Sequence, residues 1–292
     1  MPAFRVPAST TNLGHGFDCL GIALGFANTI TVTPRPDGEI VAPGAADPGL
    51  AAMAVRVRDA CVARWSTRSI GFAVTVAGDV PIARGMGSSA TILLGVAAAC
   101  QELMERPRDD AELIEIAAAI EGHPDNVAAA CLGGFTVVGT AGGRLRWSRF
   151  AVPADLVAVV AIPPFEVKTS EARRILPHQL TRAESVLALQ RTALIAAALA
   201  AGRAEELRGL FDDAWHERHR AGLNPGLVEA RAAAAAAGAI GTILSGSGST
   251  VLSFATRIRA EAVRAAVEAS YGNRGGAVTT ITAFDNGGCI RM

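Results

Sequence analysis

Lysine is almost missing from this 292-residue chain: Lys168 is the only one, and the other 26 of its 27 basic residues are arginines. A phosphate clamp built on lysine must therefore use Lys168 or not exist, and no GxxxxGK[ST] loop occurs anywhere. Cysteine is sparse as well. Cys19, Cys61, Cys100, Cys131 and Cys289 are scattered, odd in number and free of any CxxC pair. That pattern argues against a disulfide framework or a zinc site and reads as small buried hydrophobes in a reducing compartment. Net charge is absent too, with 27 acidic residues against 27 basic ones. No basic stripe of the kind nucleic acid demands is expected. The opening MPAFRVPAST offers no apolar h-region, so no signal peptide is expected. The longest soft stretch, Ala193 to Ala201, is too short to span a bilayer. A soluble cytoplasmic protein without membrane or nucleic-acid partners is the expectation.

What the chain does have is apolar material. Half of its residues are hydrophobic, enough for a sizeable core, and the length suits two domains or one large one. Alternating apolar and β-branched residues predict strands near 3–7, 20–33 and 69–77, with a helix over 50–64 between the last two. A long apolar helix should run from Gly85–Ser89 to about Met104, followed by a second over 109–120 whose start carries Asp109 and Asp110. Short apolar runs from 133 to 162 read as strands. Pro163-Pro164 marks a domain boundary, dividing the chain into 1–160 and 161–292. Beyond it helices are expected near 182–201, 203–214, 226–237 and 258–270, a strand–turn–strand around Ser245–Ser249, and a last strand near 276–283. Strands and helices do not alternate regularly, so the fold class is α+β.

Six segments carry chemistry. In Pro81-Ile82-Ala83-Arg84-Gly85-Met86-Gly87-Ser88-Ser89-Ala90, glycines and small hydroxyls precede a strongly helical run. Free N–H groups and the helix dipole would converge on one spot there, which suits phosphate. A plain glycine turn with Ser88 or Ser89 as helix cap is the other reading. No GxGxxG lies here, so a dinucleotide fingerprint is missing. The loop Pro7 to Gly21 is glycine-rich and sets an amide, Asn12, six residues before a carboxylate, Asp18. Either these bind a ligand or they bond their own backbone in a turn. In Glu121-Gly122-His123-Pro124-Asp125-Asn126, Glu121 can reach a Mg²⁺ ion and His123 and Asn126 a substrate; alternatively Gly122 stops one helix and Pro124 opens the next. Thr169-Ser170-Glu171-Ala172-Arg173 and His216 to Gly226 each hold arginines, any one of which, in a chain with 26, reads on its own as a solvated surface residue. Leu244-Ser245-Gly246-Ser247-Gly248-Ser249 is a glycine turn between strands.

Taken together these segments resemble the GHMP kinases. PIARGMGSSA is similar to their second motif, and its Arg-Gly-x-Gly-Ser-Ser-Ala form resembles homoserine kinases most. PASTTNLGHGFD resembles the first motif of that family, EGHPDN its H-x-D-N motif, TSEARRILP its T-x-E-A-R-x-x-L-P segment, and LSGSGS the third superfamily motif. HERHRAGLNPG resembles the segment ending R-x-x-L-I-P-G, with Asn224 where an apolar residue is usual and Arg218 as a rival to Arg220. The resemblance implies a two-domain fold, a ribosomal-protein-S5-like N-terminal ATP-binding domain and a ferredoxin-like C-terminal domain. It implies ATP and Mg²⁺, transfer of phosphate to the hydroxyl of L-homoserine in threonine biosynthesis, and a homodimer.

By the same resemblance, Arg84, Gly85, Met86, Gly87, Ser88, Ser89 and Ala90 hold the nucleotide. Ser88 (or Ser89) and Glu121 hold the metal. Asn12, Asp18, His123, Arg173 and Arg220 bind substrate, with Asp18 on the ammonium and both arginines on the carboxylate. Glu121, Thr169 and Asn126 lie at the chemistry. Other GHMP kinases pair a catalytic Asp with a Lys, and the first-motif loop here has no lysine. The hydroxyl proton is therefore expected to leave through the phosphate or solvent, with Asp125 the alternative base. A GHMP kinase acting on another small hydroxy or amino acid, a non-catalytic GHMP-fold binding protein and an unrelated dinucleotide oxidoreductase are the other readings.

Overall fold

The computed structural model describes every residue except 46, 47 and 214. The N-terminal half folds around a seven-stranded sheet. Its spine is β2 (Gly16–Arg35), twenty residues long, paired antiparallel with β1 (Ala3–Asn12), β4 (Gly71–Gly78) and β5 (Phe135–Ala141). The edges are completed by β3 (Ile40–Val41) on β4, β6 (Arg144–Phe150) on β5 and β11 (Ile290–Arg291) on β1. Neither β3 nor β11 was expected; two-residue strands carry no readable alternation. Helices α1 (Leu50–Trp65), α2 (Ser88–Leu103), α3 (Asp110–Glu121) and α4 (Asp125–Leu132) share one core with this sheet. Asp109 caps α3, accepting from the N–H groups of Ala111 and Glu112, and left-handed Gly122 ends it.

The second sheet is antiparallel, in the order β10 (Val278–Ala283), β7 (Leu156–Ile162), β9 (Val251–Thr256), β8 (Gly241–Leu244). In β7 the period-two rule is written out: Leu156, Ala158 and Val160 face the core shared with the first sheet, while Val157, Val159 and Ala161 face α8 (Leu227–Ala236) and α9 (Arg257–Ser270). Because β7 belongs to this sheet, the change of sheet falls between Phe150 and Leu156, ahead of Pro163-Pro164. The C-terminal strand β11 then returns to the first sheet.

Between β7 and β8 lie α5 (Thr169–Arg174), α6 (Arg182–Ala200) and α7 (Glu217–Arg220). By length and composition α6 could cross a membrane; a Thr181–Glu184 capping box starts it, and Ile195, Ala198 and Leu199 are buried. The helix expected over 203–214 is corrected: only a 3-10 turn, Ala204–Leu207, forms. Gly209 adopts a left-handed φ of 77° and Asp213 turns its carboxylate onto the start of α7, so the chain there cannot continue as a helix. Residue 214 lies outside the described residues.

Candidate active site

A cavity of about 200 Å³ is lined by the β1–β2 turn, the 82–89 loop, the α3–α4 connection, α5, α7 and the 245–249 loop. Helix α2 begins at Ser88 directly after Gly87, which sits at φ 68°, and no side chain caps it. The first N–H groups of α2 are thus left for a ligand, which fits phosphate rather than a serine-capped turn. Glycine is required at both loop positions. A Cβ on Gly85 would lie 2.2 Å from the Ser245 carbonyl oxygen, and one on Gly87 would lie 2.4 Å from Ser9 Oγ. The 245–249 loop is bolted against the phosphate loop: Ser245 Oγ donates to the Gly85 carbonyl at 2.8 Å, and Thr250 N–H to the Arg84 carbonyl.

Glu121, at the end of α3, accepts from Ser89 Oγ at 2.5 Å. Of the two serines it is thus Ser89 whose hydroxyl meets the carboxylate, and this pair of hard oxygen donors fits a magnesium ion. His123 Nδ1 bonds Asp125 Oδ1 at 2.8 Å. Burial works against charge on His123, but the bonded Asp125 and nearby Glu121 outweigh it and raise its pKa. Asp125 Oδ1 also accepts the Asn126 N–H, so both bonds fall on one oxygen of this buried carboxylate. Asn126 accepts from Ser9 Oγ at 2.8 Å and donates to Thr11 Oγ1, and Asn12 accepts from the Asp18 N–H while donating to the Gly246 carbonyl. Both amides therefore lock loops together as well as lining the cavity.

Across the cavity, Arg173 forms a two-pronged ion pair with Asp18 at 2.6 and 3.0 Å. Asp18, His123 and Asp125 bring ligand atoms within 4.8 Å of one another, a concentration of acceptors suited to a cation. Arg220 is 2 % exposed and donates from Nε to the Ala172 carbonyl and from Nη1 to the Gly246 carbonyl, with no carboxylate partner among the described residues. Burial first, and the charge of Arg173 second, push its pKa down to about 10. A buried guanidinium in this condition is poised for an anion. Both guanidinium carbons lie 5.3 Å from the centre of the Phe17 ring. Thr169 begins α5, with its hydroxyl 3.4 Å from Ser247 Oγ.

One half of the cavity is therefore a helix N-terminus with a carboxylate and hydroxyls, and the other is a set of paired and unpaired charges. Family models of this architecture match the chain twice, the GHMP kinases N terminal domain over residues 52–134 and the GHMP kinases C terminal over 195–273. The chain is 36 % identical over 279 residues to the homoserine kinase of Moorella thermoacetica, covering 94 % of each. It is 42 % identical over 254 residues to that of Deinococcus radiodurans, covering 86 % of this chain and 83 % of the other. The chain belongs to the homoserine kinase family. A crystal structure of homoserine kinase from Cytophaga hutchinsonii superposes with a TM-score of 0.88 at 23 % identity, over 100 % of this chain and 97 % of that one, so the fold is shared end to end. The S5-like and ferredoxin-like halves of the GHMP kinase fold correspond to the seven- and four-stranded sheets.

Of the residues singled out by resemblance to homoserine kinases, fourteen line this one cavity, and Ala90, fully buried in the first turn of α2, does not. Arg220 faces it, whereas its rival Arg218 pairs with Glu184 on the surface. Lys168 stands exposed at the cap of α5. Sequence reasoning passed over Phe17, although an aromatic between Gly16 and Asp18 in a glycine-rich loop was visible. It also passed over Ser9, Asp213 and His216, whose roles depend on partners more than a hundred residues away in sequence.

Proposed function

We infer that the protein transfers the γ-phosphoryl group of ATP to the side-chain hydroxyl of L-homoserine, giving O-phospho-L-homoserine. The observation that carries this reading is the buried, carboxylate-free Arg220 beside the Asp18–Arg173 pair, across one small cavity from an uncapped helix N-terminus. Arg173 and Arg220 take the substrate carboxylate, and Asp18 takes its ammonium. His123 and Asn126 border the same pocket, Thr169 lies at the hydroxyl, and Asn12 keeps the Asp18 loop in place. Backbone N–H groups of residues 85–90, with Arg84 beside them, hold the triphosphate.

Glu121 with Ser89, and Ser88 next to it, would hold a magnesium ion, whose charge would offset that of the nucleotide's phosphates. Phosphoryl transfer asks for alignment and neutralisation more than covalent help, and the residues present supply both. The hydroxyl proton leaves through the phosphate or solvent, with Asp125, bonded through Oδ1 to His123 and the Asn126 N–H, as the alternative base. Abolished turnover with intact substrate binding in Asp125→Asn would sink that route.

We read the enzyme as cytoplasmic and as a homodimer; the exposed apolar residues Val186, Leu189 and Leu194 on α6 support the pairing alone. The deciding experiment is a coupled ADP-release assay with Mg-ATP, comparing L-homoserine with L-threonine, L-serine and mevalonate. Selective turnover of L-homoserine is expected. Turnover of another alcohol alone would overturn the substrate assignment.

A further inference from the structure

Arg220 heads the fully buried side chains by size, and something must fix its direction. Its Nη1 has a second acceptor besides the Gly246 carbonyl, His216 Nδ1 at 3.3 Å. The tautomer of His216 follows from its other nitrogen. Nε2 lies 2.8 Å from the Gly14 carbonyl oxygen, which can only accept. Nε2 therefore carries the hydrogen, and Nδ1 presents a lone pair to Arg220. The ring is fully buried, and burial drives its pKa down to about 4 against the pull of the Asp213 carboxylate, so it is neutral at physiological pH. Asp213 holds the ring's backbone in place, accepting the N–H groups of His216 and Glu217 at 2.7 Å each. Phe17 packs on the ring with centroids 5.4 Å apart, and the same Phe17 lies under the Arg173 and Arg220 guanidiniums.

We propose that His216 is a positioning residue, a neutral acceptor that ties Arg220 to the Gly14 carbonyl of the β1–β2 turn and aims the remaining edge of its guanidinium at the substrate carboxylate. The proposal rests on Arg220 being the carboxylate anchor. Its chemical logic lies in the choice of partner. A carboxylate at this place would orient the guanidinium but also neutralise it, and would compete with the substrate. An imidazole lone pair fixes direction and leaves the charge available.

The test compares His216→Gln, whose amide nitrogen can keep the Gly14 bond but loses the Nδ1 acceptor, with His216→Asn, whose amide oxygen stands near the Nδ1 position. Steady-state kinetics with Mg-ATP and L-homoserine should show KM for homoserine raised about tenfold in His216→Gln, with kcat and KM for ATP unchanged. His216→Asn should stay near the native value. The effect should vanish when the substrate is the amino diol in which the carboxylate is reduced to an alcohol, a comparison made within one folded variant. Equal losses in Gln and Asn variants, or a loss that persists with the amino diol, would overturn the positioning role and leave His216 a packing residue. Arg220→Gln separates the two readings. If it leaves KM for homoserine unchanged, the anchor assignment falls and this inference with it. If it raises KM while His216→Gln does not, only the inference falls.

Discussion

Substrate charge should be read by exchange of an existing ion pair, and Asp18→Asn exposes this. In the free site the Asp18 and Arg173 side chains are 32 % and 35 % exposed and bonded at 2.6 and 3.0 Å. Two unit charges about 4 Å apart attract by about 4 kcal/mol at an effective dielectric of roughly 20. Solvent at a site this open screens the net worth to about 1 kcal/mol. A zwitterion can replace both partners at once, ammonium on Asp18 and carboxylate on Arg173. A hydroxy acid such as 4-hydroxybutyrate can replace only Asp18's hold on Arg173. It leaves the Asp18 carboxylate without its cation beside the bound ligand, a loss of about 2–3 kcal/mol. The native enzyme should therefore prefer L-homoserine over 4-hydroxybutyrate in kcat/KM by about 100-fold. Asp18→Asn should lose most of that on homoserine and little or nothing on the hydroxy acid, so the preference collapses to below about tenfold. ADP release measured for both substrates in both proteins gives the ratio directly. If the variant is slower on both but keeps the native ratio, Asp18 serves only to hold Arg173 in place and the ammonium assignment is wrong.

Three further outcomes follow from particular atoms. Gly85→Ala would set a Cβ 2.2 Å from the Ser245 carbonyl at a φ of 72°, so kcat/KM for ATP should fall by at least about tenfold, measured at saturating homoserine. Asn224 is buried with neither amide atom bonded among the described residues, so Asn224→Leu should raise stability by about 1–3 kcal/mol in urea unfolding. Glu217 is held at a pKa of about 7 by burial, despite Arg231, against 4.5 for an ordinary glutamate. The folded state keeps that proton longer than the unfolded chain, so this group lowers stability as pH rises from about 4.5 to 7. His216 acts in the opposite sense, its depressed pKa withdrawing stability as pH falls from 6.5 toward 4. Melting curves of Glu217→Gln across this range should retain the acid-side loss and show no decline toward pH 7; identical curves for the native protein and the variant would refute the assignment.

The fold was legible where periodicity is long and faint where it is short. The apolar runs of α2 and of β7 announce themselves, the first as a continuous helix and the second as a strand buried on both faces. The stretch 203–213 shows the opposite case. Its composition favours a helix, yet Gly209 and Asp213 break it, and Phe211 leaves the surface to stack on Phe254 with ring centres 5.1 Å apart. Propensity is a local prior, and a deep aromatic contact made across the domain overrides it. The two-residue strands β3 and β11 are likewise set by their neighbours, Phe72 and Ala73 for one and Phe4 and Arg5 for the other.

The site divides along the same line. Glycines at 85 and 87 and the serines after them are local requirements of a phosphate-binding turn, so short-range spacing reveals them. Arg220 is different. Among so many arginines it differs from Arg218 only in what the fold does with it: Arg218 is an exposed partner of Glu184, and Arg220 is a buried charge with no carboxylate bonded to it among the described residues. Its environment is assembled from Gly14, Phe17, Ala172, His216 and Gly246, five positions spread over most of the chain. No window of sequence holds them together, yet each touches the buried guanidinium or its imidazole acceptor. A charge in that state is unfavourable until an anion arrives, and the folding energy of the two sheets is what holds it there. If Arg220 is the carboxylate anchor, the substrate would meet a cation already placed before it binds, by contacts that no single motif holds.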